Sequence, residues 1–213
     1  LACATYPSYD LNTYYQTYEA LSKDKSSPLW NRALMSTYEP GSTMKPAIAA
    51  AGLEEGVITE TSKFYCSHIY RQFTDTTFKC LGSHGWIDVK NALNQSCNIY
   101  FYETGRLLGI NRMNDYCTRF GLGQKTGVEI NESSGVLAGI AYSEAHGGTW
   151  YPGDTVQAAI GQSDNLFTPI QLCSYVSTIA NGGTRYRAHF VKSVKSSDYS
   201  ETLLSNDGVV LNE

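Results

Sequence analysis

The run Glu39-Pro40-Gly41-Ser42-Thr43-Met44-Lys45-Pro46, feeding into Ala47-Ile48-Ala49-Ala50-Ala51, constrains this chain more than any other stretch. Pro40-Gly41 breaks the backbone, and the small apolar residues behind it favour helix, so a helix is expected from Ser42 to near Gly52. Side chains three apart share a helical face, which brings the Lys45 amine beside the Ser42 hydroxyl. A serine hydroxyl is a poor nucleophile at neutral pH and needs a base or a positive field. Lys45 can supply either, and the helix N-terminus adds partial positive charge. The pair points to acyl transfer through an activated serine.

A Ser-x-x-Lys spacing alone is weak, since roughly one such match is expected by chance in a chain this rich in Ser and Lys. Ser22-Lys23-Asp24-Lys25 is such a match. It stands in a polar stretch before Ser26-Ser27-Pro28 with no apolar helix behind it, and reads as a solvated turn. The Ser42 copy has a break, a helix start and an apolar face.

The chain has 213 residues, enough for one substantial core or two small ones. Hydrophobic residues make up 42% and charged residues 17%, which fits a globular protein rather than a disordered one. A net charge of −4 argues against nucleic acid as the main partner. No apolar run approaches the ~20 residues a membrane span requires. Leu1-Ala2-Cys3-Ala4 is too short for a signal peptide, so the chain reads as a domain cut from a longer protein.

Periodicity predicts a strand over 1–6, a polar loop with helical turns over 11–27, and a loop or short hairpin over 61–85. One helix is expected over 88–108, where Val89, Ala92, Leu93, Cys97, Tyr100 and Phe101 recur at helical spacing, and another over 111–120. Pro169 to Ala180 reads as a helix stopping at Asn181-Gly182-Gly183, and Arg185 to Lys195 as a strand. The expected class is α+β, with partner strands at least partly outside the chain.

Several segments in order resemble the transpeptidase domain of class B penicillin-binding proteins, the elongation and division type. They are Pro40-Gly41-Ser42-Thr43-Met44-Lys45-Pro46, and His84-Gly85 leading to Ala92-Leu93-Asn94-Gln95-Ser96-Cys97-Asn98-Ile99-Tyr100-Phe101. Phe120-Gly121-Leu122-Gly123-Gln124-Lys125-Thr126-Gly127 follows, then Ala159-Ile160-Gly161-Gln162, Thr168-Pro169-Ile170-Gln171-Leu172 and Ala180-Asn181-Gly182-Gly183-Thr184. The resemblance covers essentially the whole chain, 1–213, as a partial transpeptidase domain. It implies a penicillin-binding-protein transpeptidase or serine β-lactamase-like fold, a helical cluster on an antiparallel sheet that is incomplete in this chain. It also implies a D,D-transpeptidase that cross-links peptidoglycan stem peptides at D-Ala-D-Ala and is acylated by β-lactam antibiotics. Such an enzyme works with cell-wall synthesis partners on the extracytoplasmic face of the membrane, anchored by an N-terminal segment not in this chain. Ser42 would be the nucleophile and Lys45 its activator.

The second motif is Ser96-Cys97-Asn98. A hydroxyl can relay a proton between Lys45 and a leaving amine, and a carboxamide can hold a substrate amide. Alone the pair also fits helix capping; beside Ser42 the catalytic reading takes precedence. Ser163-Asp164-Asn165 shares the pattern but reads as cap and loop. Lys125-Thr126-Gly127 spells the family's third motif, which in the family lies on a strand well downstream and binds the substrate carboxylate. Here it follows a glycine turn, and Lys125 is expected to be structural. The working triplet would then lie beyond Glu213, which leaves open the activity of the chain by itself.

Cys66, His68, Cys80 and His84 cluster in a short segment that can be read as a tetrahedral zinc set, as a Cys66–Cys80 disulfide or as free thiols. Some class B relatives look to carry zinc here. Carried over, the resemblance implies His84 and Cys97 as ligands, completed by Cys66 and Cys80, with no cofactor required for the chemistry. Cys3, Cys117 and Cys173 are expected in the core, and His146 and His189 on the surface. The alternatives to a transpeptidase are a D-Ala-D-Ala carboxypeptidase, a β-lactamase, or a non-catalytic penicillin-recognising scaffold. No Glu is placed by motif to activate a deacylating water, which disfavours the β-lactamase.

Overall fold

The chain passes back and forth between two units, residues 1–38 with 124–134 and 168–213, and residues 39–123 with 135–167. The computed structural model describes residues 2–206 and 208–212. In chain order come α1 (Tyr14–Lys23), α2 (Arg32–Met35), a 3-10 turn (Gly41–Met44) and α3 (Lys45–Glu54). Four short strands follow: β1 (Phe64–Cys66), β2 (Ile69–Tyr70), β3 (Phe78–Lys79) and β4 (Gly85–Ile87). Next are α4 (Val89–Asn94), α5 (Asn98–Leu108), α6 (Ile110–Arg119), α7 (Ile140–Ala145), α8 (Pro152–Ala158) and α9 (Pro169–Ala180). The described chain closes with β5 (Arg185–Tyr186), β6 (Ser193–Lys195), β7 (Thr202–Ser205) and β8 (Val210–Asn212).

In the unit of residues 39–123 and 135–167 the core is built around α5. It buries Ile99, Tyr100, Phe101, Tyr102, Thr104, Gly105 and Leu108 and packs against α3, α6, α8 and β1. Helix α3 is apolar almost all round, burying Ala47, Ile48, Ala49 and Ala51, as a helix enclosed by others must be. β1 pairs antiparallel with β4, and β2 with β3. Residues 61–85 are therefore a pair of small antiparallel ribbons, close to the hairpin expected.

In the other unit α9 starts with a capping box, the Thr168 hydroxyl accepting from the Gln171 N–H and the Gln171 side chain accepting from the Thr168 N–H. Buried Gln171 donates to the carbonyls of Gln124 and Ser134 at 2.6 and 2.7 Å. β5 pairs with β8 and β6 with β7.

The class is α+β, as expected, but several details differ. The strand expected over 1–6 does not form among the described residues 2–6, since none offers them a ladder, and Leu1 lies outside the described residues. The 11–27 segment contains a full helix, α1. Within the described residues the C-terminal strands find antiparallel partners in the same segment, β5 with β8 and β6 with β7, each in a two-stranded sheet. Cys3 and Cys173 are exposed, whereas Cys117 is buried. Among the described residues no helix is long and apolar enough to cross a membrane.

The most consequential correction is that 88–108 is two helices. α4 ends in a Schellman motif: the Ser96 N–H donates to Leu93 O at 3.2 Å and the Cys97 N–H to Ala92 O at 2.9 Å. Ser96 occupies the left-handed position, φ +52°. Glycine is usual there, and with serine in its place the apolar period runs on unbroken and hides the stop.

Close packing of α5 gives the first prediction. A Cβ built on Gly105 would stand 2.4 Å from the Ala159 Cβ and 3.3 Å from the Met113 sulfur. Gly105→Ala gains helix propensity of about 0.5–1 kcal/mol but overpacks the core by about 1–3 kcal/mol. A net loss of about 1–2 kcal/mol is expected in urea unfolding. A stabilised variant would show that α5 is not seated this tightly.

Candidate active site

Ser42 and Lys45 reach each other because the chain enters α3 through a tight turn. The Gly41 N–H donates to Gly161 O at 2.9 Å. A Cβ on Gly161, φ +73°, would lie 2.2 Å from Gly41 O. Only glycine lets these two backbones meet, and that contact fixes the turn carrying Ser42. Pro46 sits in the first turn of α3, where its missing N–H costs nothing.

Lys45 is 1% exposed, while Ser42 faces solvent. The Lys45 Nζ lies 3.1 Å from Ser42 Oγ, 2.9 Å from both Ser96 O and Ser96 Oγ, and 2.7 Å from Asn98 Oδ1. The Ser96 hydroxyl donates to Ser42 Oγ at 2.8 Å. An ammonium has three hydrogens for these four oxygens. A neutral amine has a lone pair to receive a proton from Ser42, directly or through Ser96. The Phe101 ring lies under the amine, 5.7 Å from Nζ to its centroid. Burial lowers the Lys45 pKa to about 8, partly opposed by charge on Cys80 and Cys97.

The four side chains expected at the site, Ser42, Lys45, Ser96 and Asn98, thus stand together in one unit. The Schellman turn points Ser96 at the amine, and Asn98 opens α5 beside it. Asn98 is also tied outward: its Nδ2 donates to Lys79 O at 3.2 Å and its backbone N–H to the Cys80 sulfur at 3.2 Å. Gly161 and Phe101 lie in segments that carry the family resemblance, yet their supporting roles show only in three dimensions.

The other candidates fall elsewhere. Ser22 and Lys23 end the exposed helix α1, where Lys23 pairs with Glu19 at 2.6 Å. Ser163 has φ +63° and Asn165 is buried, donating to Ala158 O and Gln162 O and accepting from the Ala138 N–H; this segment is a structural loop. Lys125-Thr126-Gly127 belongs to the other unit and to irregular backbone, with Lys125 exposed. The Thr126 hydroxyl and N–H and the Gly127 N–H all donate to the Glu132 carboxylate. His146 and His189 are exposed.

Behind Asn98, the ligand atoms of Cys66, Cys80, His84 and Cys97 lie within 4.8 Å of one another. All six cysteines are unpaired, and His68 is not in the cluster. His84 Nδ1 is 3.4 Å from Cys66 Sγ and 3.6 Å from Cys80 Sγ, and the Cys80 and Cys97 sulfurs are 3.9 Å apart. Zn–S and Zn–N bonds of about 2.3 and 2.0 Å imply tetrahedral edges of about 3.8 Å between sulfurs and about 3.5 Å from sulfur to nitrogen. The donor chemistry and these three spacings both fit a closed four-ligand zinc site. The hydrogen bond shared with Cys97, with backbone N–H groups aimed at the same sulfur, holds Cys80 well below the usual thiol range. The same hydrogen bond to Cys80, together with burial, pushes Cys97 up.

The chain has relatives among known proteins. The family model "Penicillin binding protein transpeptidase domain" matches residues 1–211. Peptidoglycan D,D-transpeptidase MrdA of Salmonella typhimurium is 34% identical over 209 residues, covering 92% of this chain and 33% of that protein. The chain therefore spans about a third of the length of such relatives. The complex between penicillin-binding protein PBP2 and MreC from Helicobacter pylori superposes with a TM-score of 0.81 at 28% identity, covering 93% of this chain and 38% of that one. The ceftriaxone acyl-enzyme complex of penicillin-binding protein A from M. tuberculosis superposes with a TM-score of 0.84 at 25% identity, covering 100% of this chain and 48% of that one.

The buried amine yields a direct test. NMR titration of the Lys45 side chain should give a midpoint near 8, below the ~10.4 of an unperturbed lysine. A midpoint at the unperturbed value would mean that the amine is hydrated and the pocket open.

Proposed function

This chain belongs to the penicillin binding protein transpeptidase family, and on that premise we propose that it carries the serine chemistry of a peptidoglycan D,D-transpeptidase. The observation that carries this reading is the closed triangle of Ser42 Oγ, Lys45 Nζ and Ser96 Oγ. Neutral Lys45 takes the Ser42 proton as Oγ attacks the penultimate D-Ala carbonyl of a stem peptide. Ser96 then passes a proton from Lys45 to the departing D-Ala amine, leaving an acyl-enzyme on Ser42. The amine of a second stem attacks the ester, forms the cross-link and returns the proton to Ser42. Asn98 presents a carboxamide to the substrate backbone. The site that would bind stem peptides also takes β-lactams, whose strained amide is opened by the same attack. A non-catalytic scaffold would have no use for a buried, pKa-lowered amine aimed at an exposed serine.

The substrate puts this reaction on the outer face of the cytoplasmic membrane, and the Helicobacter complex with MreC supports cell-wall assembly proteins as partners. Zinc held by Cys66, Cys80, His84 and Cys97 would be structural, since four protein ligands leave no open position for water. Its part would be to lock the β1–β4 ribbon onto the start of α5, on either side of which Ser96 and Asn98 stand.

In the whole protein, fluorescent penicillin should label Ser42 covalently. Ser42→Ala should abolish the label, Lys45→Ala should slow it by at least about 10²-fold, and Ser22→Ala should leave it unchanged. Retention of the label in Ser42→Ala would overturn the assignment. The acylation rate should follow the neutral fraction of Lys45, rising about tenfold from pH 7 to pH 9 around a midpoint of about 8. A flat profile would remove Lys45 as the base.

Metal analysis should find about one zinc per chain. A strong chelator should lower the melting temperature and slow acylation, while Ser42 remains the labelled residue. Metal-free protein with unchanged stability and rate would discard the zinc reading.

A further inference from the structure

The outward face of the zinc-type ribbon has a chemistry that the acylation site does not use. Strand alternation turns Cys66 and Ile87 inward, and Tyr65 and Trp86, directly opposite in register, outward. These two rings are 58% and 69% exposed and touch, with centroids 5.5 Å apart. Cross-strand aromatic pairs do brace small ribbons, but that role explains only the contact between the rings. They also line a groove of about 370 Å³ together with Lys63, Arg71 and, from α5, Ile99 and Glu103.

The charge of the groove is unbalanced. Glu103 is already neutralised by Arg106 at 2.6 Å and by the Tyr70 hydroxyl donating at 2.6 Å. Lys63 feels the charge of Asp88, yet among the described residues neither Lys63 nor Arg71 forms an ion pair. Exposed aromatic faces stack on the apolar faces of sugar rings, and free cations select carboxylates. The groove wall reaches Ile99, the residue next to Asn98.

We propose that the Tyr65–Trp86 platform with Lys63 and Arg71 binds the glycan strand of peptidoglycan, an amino-sugar polymer bearing acidic side peptides, and so holds a strand beside the acylation site. This rests on the transpeptidase reading. Two large ring faces favour the sugar as the primary contact, with the cations taking the carboxylates that hang from it.

Calorimetry of the whole protein with soluble uncross-linked peptidoglycan strands, with the neutral N-acetylglucosamine tetramer and with free stem peptide separates the contributions. Trp86→Leu keeps an apolar partner for Tyr65 but removes the stacking face, and should weaken both sugar ligands about tenfold. Lys63→Gln with Arg71→Gln should weaken the acidic strands only, an effect that high salt erases. Unchanged affinity in Trp86→Leu, or no binding by the parent protein, would overturn the proposal. Free stem peptide competing as well as intact strands would reassign the groove to peptide. Fluorescent-penicillin labelling of the whole protein should be equal in parent and variants. Failure of labelling in the parent strikes at the serine chemistry, while loss of strand binding with labelling intact tests the platform alone.

Discussion

The burial of one amine organises the site. Lys45 has no carboxylate partner among the oxygens around it, and an unpaired ammonium in such a place is costly. Hydroxyls, a carbonyl and an amide oxygen offset part of that cost, and a lowered pKa removes the rest by favouring the neutral form. The arrangement that makes the amine tolerable is the same one that makes it basic toward Ser42. Stability and chemistry therefore draw on a single set of contacts joining α3 to the α4–α5 junction.

That junction is braced from behind. Asn98 accepts from Lys45 through its Oδ1 and donates through its backbone N–H to Cys80. One residue thus links the amine to the cysteine–histidine cluster. Cys97, which lies between the two site residues, is a second, covalent link, and charge on Cys80 and Cys97 also acts on the amine directly. Gly161 performs the matching task on the other side, where close contact with Gly41 sets the height of the Ser42 turn. Ser42 and Ser96 are thus each held by backbone, which limits the motion that would open the triangle.

Much of this was legible in the sequence where the interaction is local. Ser42 and Lys45 are three apart on one turn, so their meeting follows from helix geometry alone. The α9 segment was equally clear, since Thr168-Pro169 and Asn181-Gly182-Gly183 mark its ends. The break between α4 and α5 was not, because a Schellman stop with serine in the glycine position leaves the apolar period intact. The pairing of β5 with β8 was hidden for another reason: their ladder spans more than twenty residues, and such short strands carry no period that names a partner. Cys3 and Cys173 failed as core residues because their type says small and apolar, while burial is decided by neighbours distant in sequence. Ser96 and Asn98 stood between, ambiguous as caps and unambiguous only once Lys45 lay between their oxygens.

Ser96 shows how function can be read from a local cost. A non-glycine residue in the left-handed region carries strain of about 1 kcal/mol relative to glycine, and Ser96 sits there at φ +52°. Glycine would close the same Schellman turn without that strain, and asparagine would tolerate it better. Neither could place a hydroxyl 2.9 Å from Lys45 Nζ and 2.8 Å from Ser42 Oγ at once. The backbone carbonyl of Ser96, which also faces the amine, would remain in either case. What the strain secures is therefore the hydroxyl and not the turn, the expected pattern for a group whose task is to move a proton.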